Sequence, residues 1–444
     1  MIVVRFFLAL CGVVLLMFSA ATLLGPATPA PALPPDLAGD GAWLTYAEQL
    51  GVLRLGLNIV NLLVPTLALW LFVSRGAAAR LRRRLVERGI RNTSVLAAVF
   101  TLLISAGLWL LQLPAAYAGF LLRRAYGLSS EPPPAWFLRQ IAAAGISTGI
   151  TIVGALALYG ATRRFPRGWW IVASAGYILF SIVLTYVSPL VITPLFFEQR
   201  RLDNDDLRAR ITGLAARAGV PVDDVWVIDA SKQGSEGNAY FTGVAGSTRI
   251  VLYDTLLQNF PTDDLLAILA HEMGHWRERH IWKGLAVSWI AAAAGLWATQ
   301  RLLRAQMPRW GIRGADDVAS LPYLLLLLSL ATFALLPVQN WLSRRWEADA
   351  DRIAVETTGD GTTYARMMAR LARQNLSDPT PPRLVEALFA THPAIGRRVA
   401  FAMNHVSALD APRVSVYHPK RSGPIQRGSV AFLRETVHTE RQRP

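Results

Sequence analysis

The chain has 444 residues, 53% hydrophobic and 17% charged, with 45 Lys and Arg against 30 Asp and Glu, a net charge of +15 and a mean hydropathy of +0.33. This composition excludes intrinsic disorder for the bulk of the chain, because disordered segments lack large apolar residues, and it is greasier than a soluble domain. Cys11 is the single cysteine, so an intramolecular disulfide scaffold is excluded too.

A bilayer core about 30 Å thick is crossed by roughly 20 apolar residues in helical form. In chain order the candidate spans are Val3–Leu24, Leu55–Ser74, Val95–Leu121, Gly145–Ala161, Trp169–Phe197, Leu285–Leu303 and Leu321–Val338. The fourth is short and the sixth rich in alanine, as buried helices of soluble domains also are. Trp169, Trp170, Trp282 and Trp297 sit at or near span ends, where amphipathic rings favour the headgroup level. The first run follows Arg5 as a signal peptide would. It is long for that role, and Pro-Ala-Leu-Pro-Pro at 31–35 makes an awkward cleavage site, so a retained span is expected. The arginines cluster in short loops, as in Arg80-Leu-Arg-Arg-Arg84 and Arg163-Arg164, not in a separate basic domain. Membrane lipid is therefore the expected partner, and nucleic acid is not.

Two stretches are not membrane-like, Glu198–Lys283 and Ser343–Pro444. The first contains His271-Glu272-Met273-Gly274-His275, an H-E-x-x-H expected by chance about 0.003 times in a chain of this composition. Pro261-Thr-Asp-Asp264 before it reads as a helix start, and Leu265, Leu266, Ile268 and Leu269 continue an apolar helical face. Histidines four apart on a helix share a face and can share one metal ion. Neutral imidazole suits Zn²⁺, and Glu272 can reach a water at the remaining position as general base.

A catalytic zinc needs a third protein ligand. The second polar stretch offers Glu347 and Asp351, again four apart on an expected helix. One carboxylate can complete a His₂Glu set, and the other can accept the second ring N–H of a ligand histidine. Asp349 and Glu356 compete on spacing alone. His280 follows the motif by five residues, which on a continuous helix turns it away from the metal face, so a helix-end or interface role is expected. His405, His418 and His438 are assigned no role.

Val225-Trp-Val-Ile-Asp229, Ala239-Tyr-Phe-Thr242 and Thr248-Arg-Ile-Val-Leu-Tyr253 are rich in β-branched and aromatic residues and are separated by turn residues. They predict a small sheet whose exposed edge could hold an extended peptide through its main chain.

These motifs resemble the integral-membrane zinc endopeptidases that include the type I CAAX prenyl proteases. The resemblance rests on Gly237-Asn-Ala-Tyr-Phe-Thr-Gly243, Arg249–Leu257, His271-Glu-Met-Gly-His-Trp276, Ser343–Asp351 and Thr391-His-Pro393, and spans about residues 190–400. It implies one Zn²⁺ per chain held by His271, His275 and Glu347, with Glu272 and His392 catalytic. It implies Asp351 and Arg398 behind the metal ligands, and Asn238, Ala239 and Tyr240 on a substrate-binding edge strand. Arg397 departs from the family pattern, standing where relatives often carry an acid. The implied partner is a peptide or protein substrate, prenylated if the likeness extends that far, acted on by a monomer. A water-filled chamber enclosed by the helices is implied as well, and Asn58 and Asn61, on one helix face, are compatible with its wall.

The expected architecture is mainly α, a polytopic seven-helix membrane bundle with a zincin-like metalloprotease domain carrying a small β-sheet. Its expected parts are a membrane region of about five helices over 1–197, a first protease segment over 198–283, two further spans over 284–340, the second half of the site over 341–412 and a basic, disordered tail over 413–444. The expected function is membrane-embedded zinc endopeptidase. The alternatives are a quality-control peptidase with no prenylated substrate and a non-catalytic seven-helix scaffold. The loops on the side away from the site carry 14 Lys and Arg against 4 in the short loops beside it. The positive-inside rule therefore sets the zinc site outside the cytoplasm, whereas the family's eukaryotic members resemble a cytosol-facing arrangement.

Overall fold

A computed structural model describes residues 41–242 and 248–410. The expected first span, Val3–Leu24, and the expected basic tail lie outside the described residues. The N-terminal region comprises α1 (Gly41–Ser74), a short α2 (Ala77–Glu87), α3 (Thr93–Ala125), α4 (Pro133–Arg164) and α5 (Trp169–Val187), the last continued by a wider π-helical turn and a short 3₁₀ turn to Leu195. After the first half of the polar domain come α9 (His280–Gln306) and α10 (Leu321–Thr358).

Six described helices are long and apolar enough to cross a membrane: Gly41–Ser74, Thr93–Ala125, Pro133–Arg164, Trp169–Leu195, His280–Ala305 and Val318–Thr358. They match the last six expected runs. The fourth run extends further toward its N-terminus than hydropathy indicates, because Arg139 and Gln140 on its first turns line a half-open cavity instead of facing lipid. Leu110, Leu138, Val153, Leu179, Ile290 and Leu328 are exposed, as a lipid-facing surface requires. Pro65, Pro114 and Pro337 lie inside helices, which membrane helices tolerate better than soluble ones.

At one end of the bundle Val73, Phe100, Tyr159, Leu303 and Tyr323 form an apolar core. Buried Arg82 of α2 pairs there with Asp317, just before α10, and Arg304 donates from Nη2 to the Pro166 carbonyl at 3.4 Å. The three basic loops thus meet at a single pole.

The polar domain begins with β1 (Gln199–Arg201), α6 (Asp205–Ala218), β2 (Asp224–Ile228), β3 (Ala239–Thr242), β4 (Arg249–Tyr253), α7 (Asp254–Asn259) and α8 (Thr262–Arg277). The sheet order is β1-β2-β4-β3. β2 and β4 run parallel with Val225 opposite Ile250, and β3 runs antiparallel to β4 with Ala239 opposite Leu252. β3 is therefore an edge strand. β1 was not expected from sequence, because Gln-Arg-Arg has no strand pattern; it pairs with β2 through its main chain, and Arg201 Nε lies 2.9 Å from Asp224 Oδ2. The C-terminal part adds α11 (Gly361–Gln374), α12 (Arg383–Phe389) and α13 (Ile395–Asp410). Ile211, Leu214, Ile250, Leu252, Leu269 and Met273 build the core beneath the sheet.

α8 and the far end of α10 cross at Gly274. A Cβ at that position would lie 2.9 Å from the Ala350 Cα and 3.0 Å from its carbonyl oxygen. Such an approach is open only to glycine. Gly274→Ala should destabilise the fold by about 1–3 kcal/mol, the usual cost of overpacking, and should lower metal retention by prising the two helices apart. Thermal unfolding and metal analysis of the detergent-purified variant check this; an unchanged metal content would refute it.

Candidate metal centre

α8 starts as its sequence indicates, with Pro261 before it and Asp263 and Asp264 in its first turn. Asp264 is buried and held by Arg370 Nε at 3.0 Å. One apolar face of the helix packs into the core, and its end presents His271 and His275 with Nε2 atoms 3.1 Å apart. From α10, Glu347 places Oε2 3.3 Å from His271 Nε2 and Oε1 3.2 Å from His275 Nε2. Among the described residues these three form a group able to hold a metal ion. A tetrahedral ion with bonds of about 2.0–2.1 Å separates its ligand atoms by about 3.3 Å, so the spacing fits. The donor set also fits. Glu347 Oε2 is buried with no aligned hydrogen-bond donor, an unsatisfied anionic oxygen suited to a cation.

Asp351, one turn after Glu347, lies behind His271, with Oδ1 2.9 Å from His271 Nδ1. Arg398 of α13 grips both its oxygens, Nε to Oδ2 at 2.9 Å and Nη2 to Oδ1 at 2.6 Å. Arg398 is itself buried and comes within 3.4 Å of Glu347. The competing acids are elsewhere: Glu356 pairs with Arg352 at the surface at 3.1 Å, and Asp349 is not in the cluster. Arg344 donates to the carbonyls of Glu386, Ala387 and Ala390, not to an acid of its own helix.

His392 brings Nε2 to 3.3 Å from Glu347 Oε1 with its side chain 58% exposed, while Nδ1 is 2.8 Å from Thr391 Oγ1. Arg397 pairs with Glu386, so α12 supplies the acid for that local ion pair. Asn238 is exposed at the start of β3, Ala239 is buried toward α8, and Tyr240 packs on the other face of the sheet with Ile228 and Val251. None of these three belongs to the metal cluster.

Two neighbours of the cluster were not anticipated. The Tyr364 hydroxyl donates to Asp351 Oδ1 at 2.5 Å and lies 3.3 Å from His271 Nδ1. Nothing in sequence marks it, since a tyrosine on the apolar face of α11 reads as core. His280 corrects the expectation that it faces away. Arg279 adopts φ +56°, which ends α8, so the spacing of a continuous helix no longer applies. The reversal sets His280 Nδ1 2.9 Å from His275 Nδ1 and stacks its ring on Trp346 at 5.3 Å.

Burial alone would lower the pKa of His271, but hydrogen bonds to Asp351 and Glu347 outweigh it and push it up to about 9. Burial pushes the Glu272 carboxyl above its ordinary range and the Tyr364 hydroxyl far above its own, so Tyr364 stays a donor.

A membrane bundle carrying a two-histidine, one-carboxylate cluster at the junction of two helices defines a membrane-embedded metallohydrolase. The model of peptidase family M48 matches residues 201–406, and that of the CAAX prenyl protease N-terminal region, described as five membrane helices, matches 44–198. A Bacillus subtilis protein named as an uncharacterized metalloprotease, YhfN, is 29% identical over 82% of this chain and 86% of its own. CAAX prenyl protease 1 of Saccharomyces cerevisiae is 35% identical over 40% of each chain, and a probable CAAX prenyl protease 1 of Schizosaccharomyces pombe is 28% identical over 65% of this chain and 62% of its own. The crystal structure of S. mikatae Ste24p shares the fold at a TM-score of 0.78 and 22% identity, covering 90% of this chain and 96% of that one. The chain belongs to this family, the membrane metalloproteases of the CAAX prenyl protease type.

The raised pKa of His271 has a definite sign. Protonated His271 stabilises the metal-free fold below pH 6.5, and that contribution is lost as the pH rises through about 9. A metal ion must displace this proton, so its affinity should climb with pH up to about 9, with proton release on binding. Calorimetric titration in two buffers of different ionisation enthalpy measures the release; a pH-independent affinity would contradict it. His280→Ala should lower metal affinity about 10–100-fold, the usual effect of removing the partner of a ligand histidine.

Proposed function

We propose that the chain is a zinc endopeptidase whose ion is held by His271, His275 and Glu347 and whose proton acceptor is Glu272. The observation that carries this is the spacing of the three donor atoms, 3.1–3.3 Å, with Asp351 fixed behind His271. Bound there, zinc supplies Lewis acidity and lowers the pKa of water.

The chain's own residues do the rest. Asp351 accepts the His271 Nδ1 proton, which leaves Nε2 free to face the ion, and Arg398 and Tyr364 hold Asp351 in place. Arg398 is a positioning residue. Glu272 adjoins His271, and burial raises its carboxyl pKa, which makes it a stronger base than an ordinary carboxylate. His392, exposed and close to Glu347, can donate to the oxyanion as the carbonyl is attacked. The free edge of β3 can hold an extended peptide through main-chain hydrogen bonds, whatever its sequence.

The relatives named as CAAX prenyl proteases support a substrate cut near its C-terminus, and the lipid-facing bundle is compatible with a prenylated one. A quality-control peptidase would use the same chemistry, and comparing a farnesylated peptide with its unmodified form separates the two. Family membership and the assembled cluster favour hydrolysis over a non-catalytic scaffold.

Glu272→Gln should retain stoichiometric zinc and lose about 10²–10⁴-fold in kcat. Peptide turnover alongside metal analysis tests this, and full activity in the variant would end the mechanism.

A further inference from the structure

His392 stands on the short connection 390–394 between α12 and α13. Its side chain is more than half exposed, and its ring touches Thr391 Oγ1 at 2.8 Å and Glu347 Oε1 at 3.3 Å. The position of the imidazole is therefore set mainly by the backbone beneath it.

That backbone is clamped at both ends. A helix leaves its last four carbonyls without partners of its own, and α12 offers them to side chains of α10. Asn340 Nδ2 donates to the Leu388 carbonyl at 2.6 Å. Arg344 Nη1 donates to the carbonyls of Glu386 at 2.9 Å and Ala390 at 2.6 Å, and Nη2 donates to that of Ala387 at 3.1 Å. The fork thus reaches past the helix to Ala390, two residues before His392, which a plain helix cap does not require. At the far end the Ala394 N–H donates to Glu386 Oε1 at 3.0 Å, and Arg397 pairs with the same carboxylate. Buried Glu386 thereby ties the connection back onto α12. Val385 and Phe389, on the apolar side of α12, pack with Leu55 and Ile59 of α1 and Phe333 of α10.

The clamp and the candidate metal ligand share one face of α10. Asn340, Arg344, Glu347 and Asp351 follow one another at intervals of four, three and four residues, the spacing of a single helical stripe. We infer that Arg344 is a positioning residue for His392, holding that imidazole in register with Glu347 so that oxyanion donor and metal ligand are carried by one rigid stripe. This rests on the peptidase reading above, in which His392 donates to the oxyanion. Such a donor works only from a narrow range of positions, and a displacement of about 1 Å can cost about a hundredfold in rate.

Kinetics of the full chain, zinc-loaded and in detergent, test the assignment. Arg344→Gln should lower kcat about 10–100-fold, with KM within about twofold of the unaltered chain and zinc still stoichiometric. Arg344→Lys keeps the charge but lacks the planar fork, so it should recover only part of the loss. A double-mutant cycle with His392→Gln separates positioning from general support of the fold. Adding Arg344→Gln to His392→Gln should cost less than about threefold more, because the group it acts through is already gone. Losses that multiply in the double variant, an unchanged kcat in Arg344→Gln, or loss of its zinc would overturn the proposal. If Arg344→Gln does not fold, Asn340→Ala, which cuts the tie to Leu388, takes its place in the cycle under the same criteria.

Hydrogen exchange supplies a readout that needs no turnover. In Arg344→Gln, peptides covering 390–394 should exchange about tenfold faster or more, while those covering α8 keep their rate. Unchanged exchange in the connection would remove the clamp whatever the activity. If the unaltered chain cuts no peptide, the peptidase reading fails by itself, and the exchange result alone decides whether Arg344 positions His392.

Discussion

The candidate metal centre depends on a bare glycine. His271 and His275 come from one helix and Glu347 from another distant in sequence, and they meet because α8 touches the backbone of α10 where Gly274 faces Ala350. A side chain there would hold the helices apart and leave Glu347 outside bonding reach of the two imidazoles. α10 adds a second constraint. It is one continuous helix of 38 residues, apolar at its start and ligand-bearing near its end. Leu321 and Glu347 are about 39 Å apart along the helix at 1.5 Å per residue, so the helix that carries this carboxylate is the one that enters the membrane bundle.

Burying so many charges is tolerable because they complete one another. Glu347, Asp351, Arg398 and His271 are all largely buried, and each touches at least one other member of the group. Add Glu272 and a divalent ion, with the carboxylates ionised, and the formal charges of acids, Arg398 and metal cancel. Without the ion, the unsatisfied oxygen of Glu347 and the raised pKa of His271 express the same imbalance from two sides. A proton on His271 then takes over part of the role of the metal. Tyr364 serves the arrangement as a neutral donor, adding a hydrogen bond to Asp351 Oδ1 without changing its charge.

What sequence could reveal follows from helical periodicity. His271 with His275, and Glu347 with Asp351, are each four apart on uninterrupted helices, so spacing alone set each pair on one face. The same rule put Asn58 and Asn61 together, and both line the cavity. It failed at His280, because a single left-handed residue, Arg279, ends the helix and no glycine marks the break. It was silent on Tyr364, on the bidentate grip of Arg398 and on β1, whose places are fixed by tertiary contacts between α10, α11, α13 and the sheet. Hydropathy understated α4 for a related reason. It counts Arg139 as unfit for lipid, whereas the residue faces inward to Glu131.

The side of the membrane is an electrostatic question that family likeness does not carry. The fold can be inserted either way round with its metal geometry unchanged, so only charges flanking the spans bear on orientation. Residues 75–92 hold seven arginines and one acid, Glu87, and of those arginines Arg82 is neutralised by burial against Asp317. On the metal side, Arg54, Arg123 and Arg139 are all paired with Glu236 or Glu131. The rule counts Lys and Arg near the spans whether or not acids pair with them, so the asymmetry counted from sequence stands. On the positive-inside rule that favours a cytoplasmic basic pole, with the metal centre across the bilayer from it.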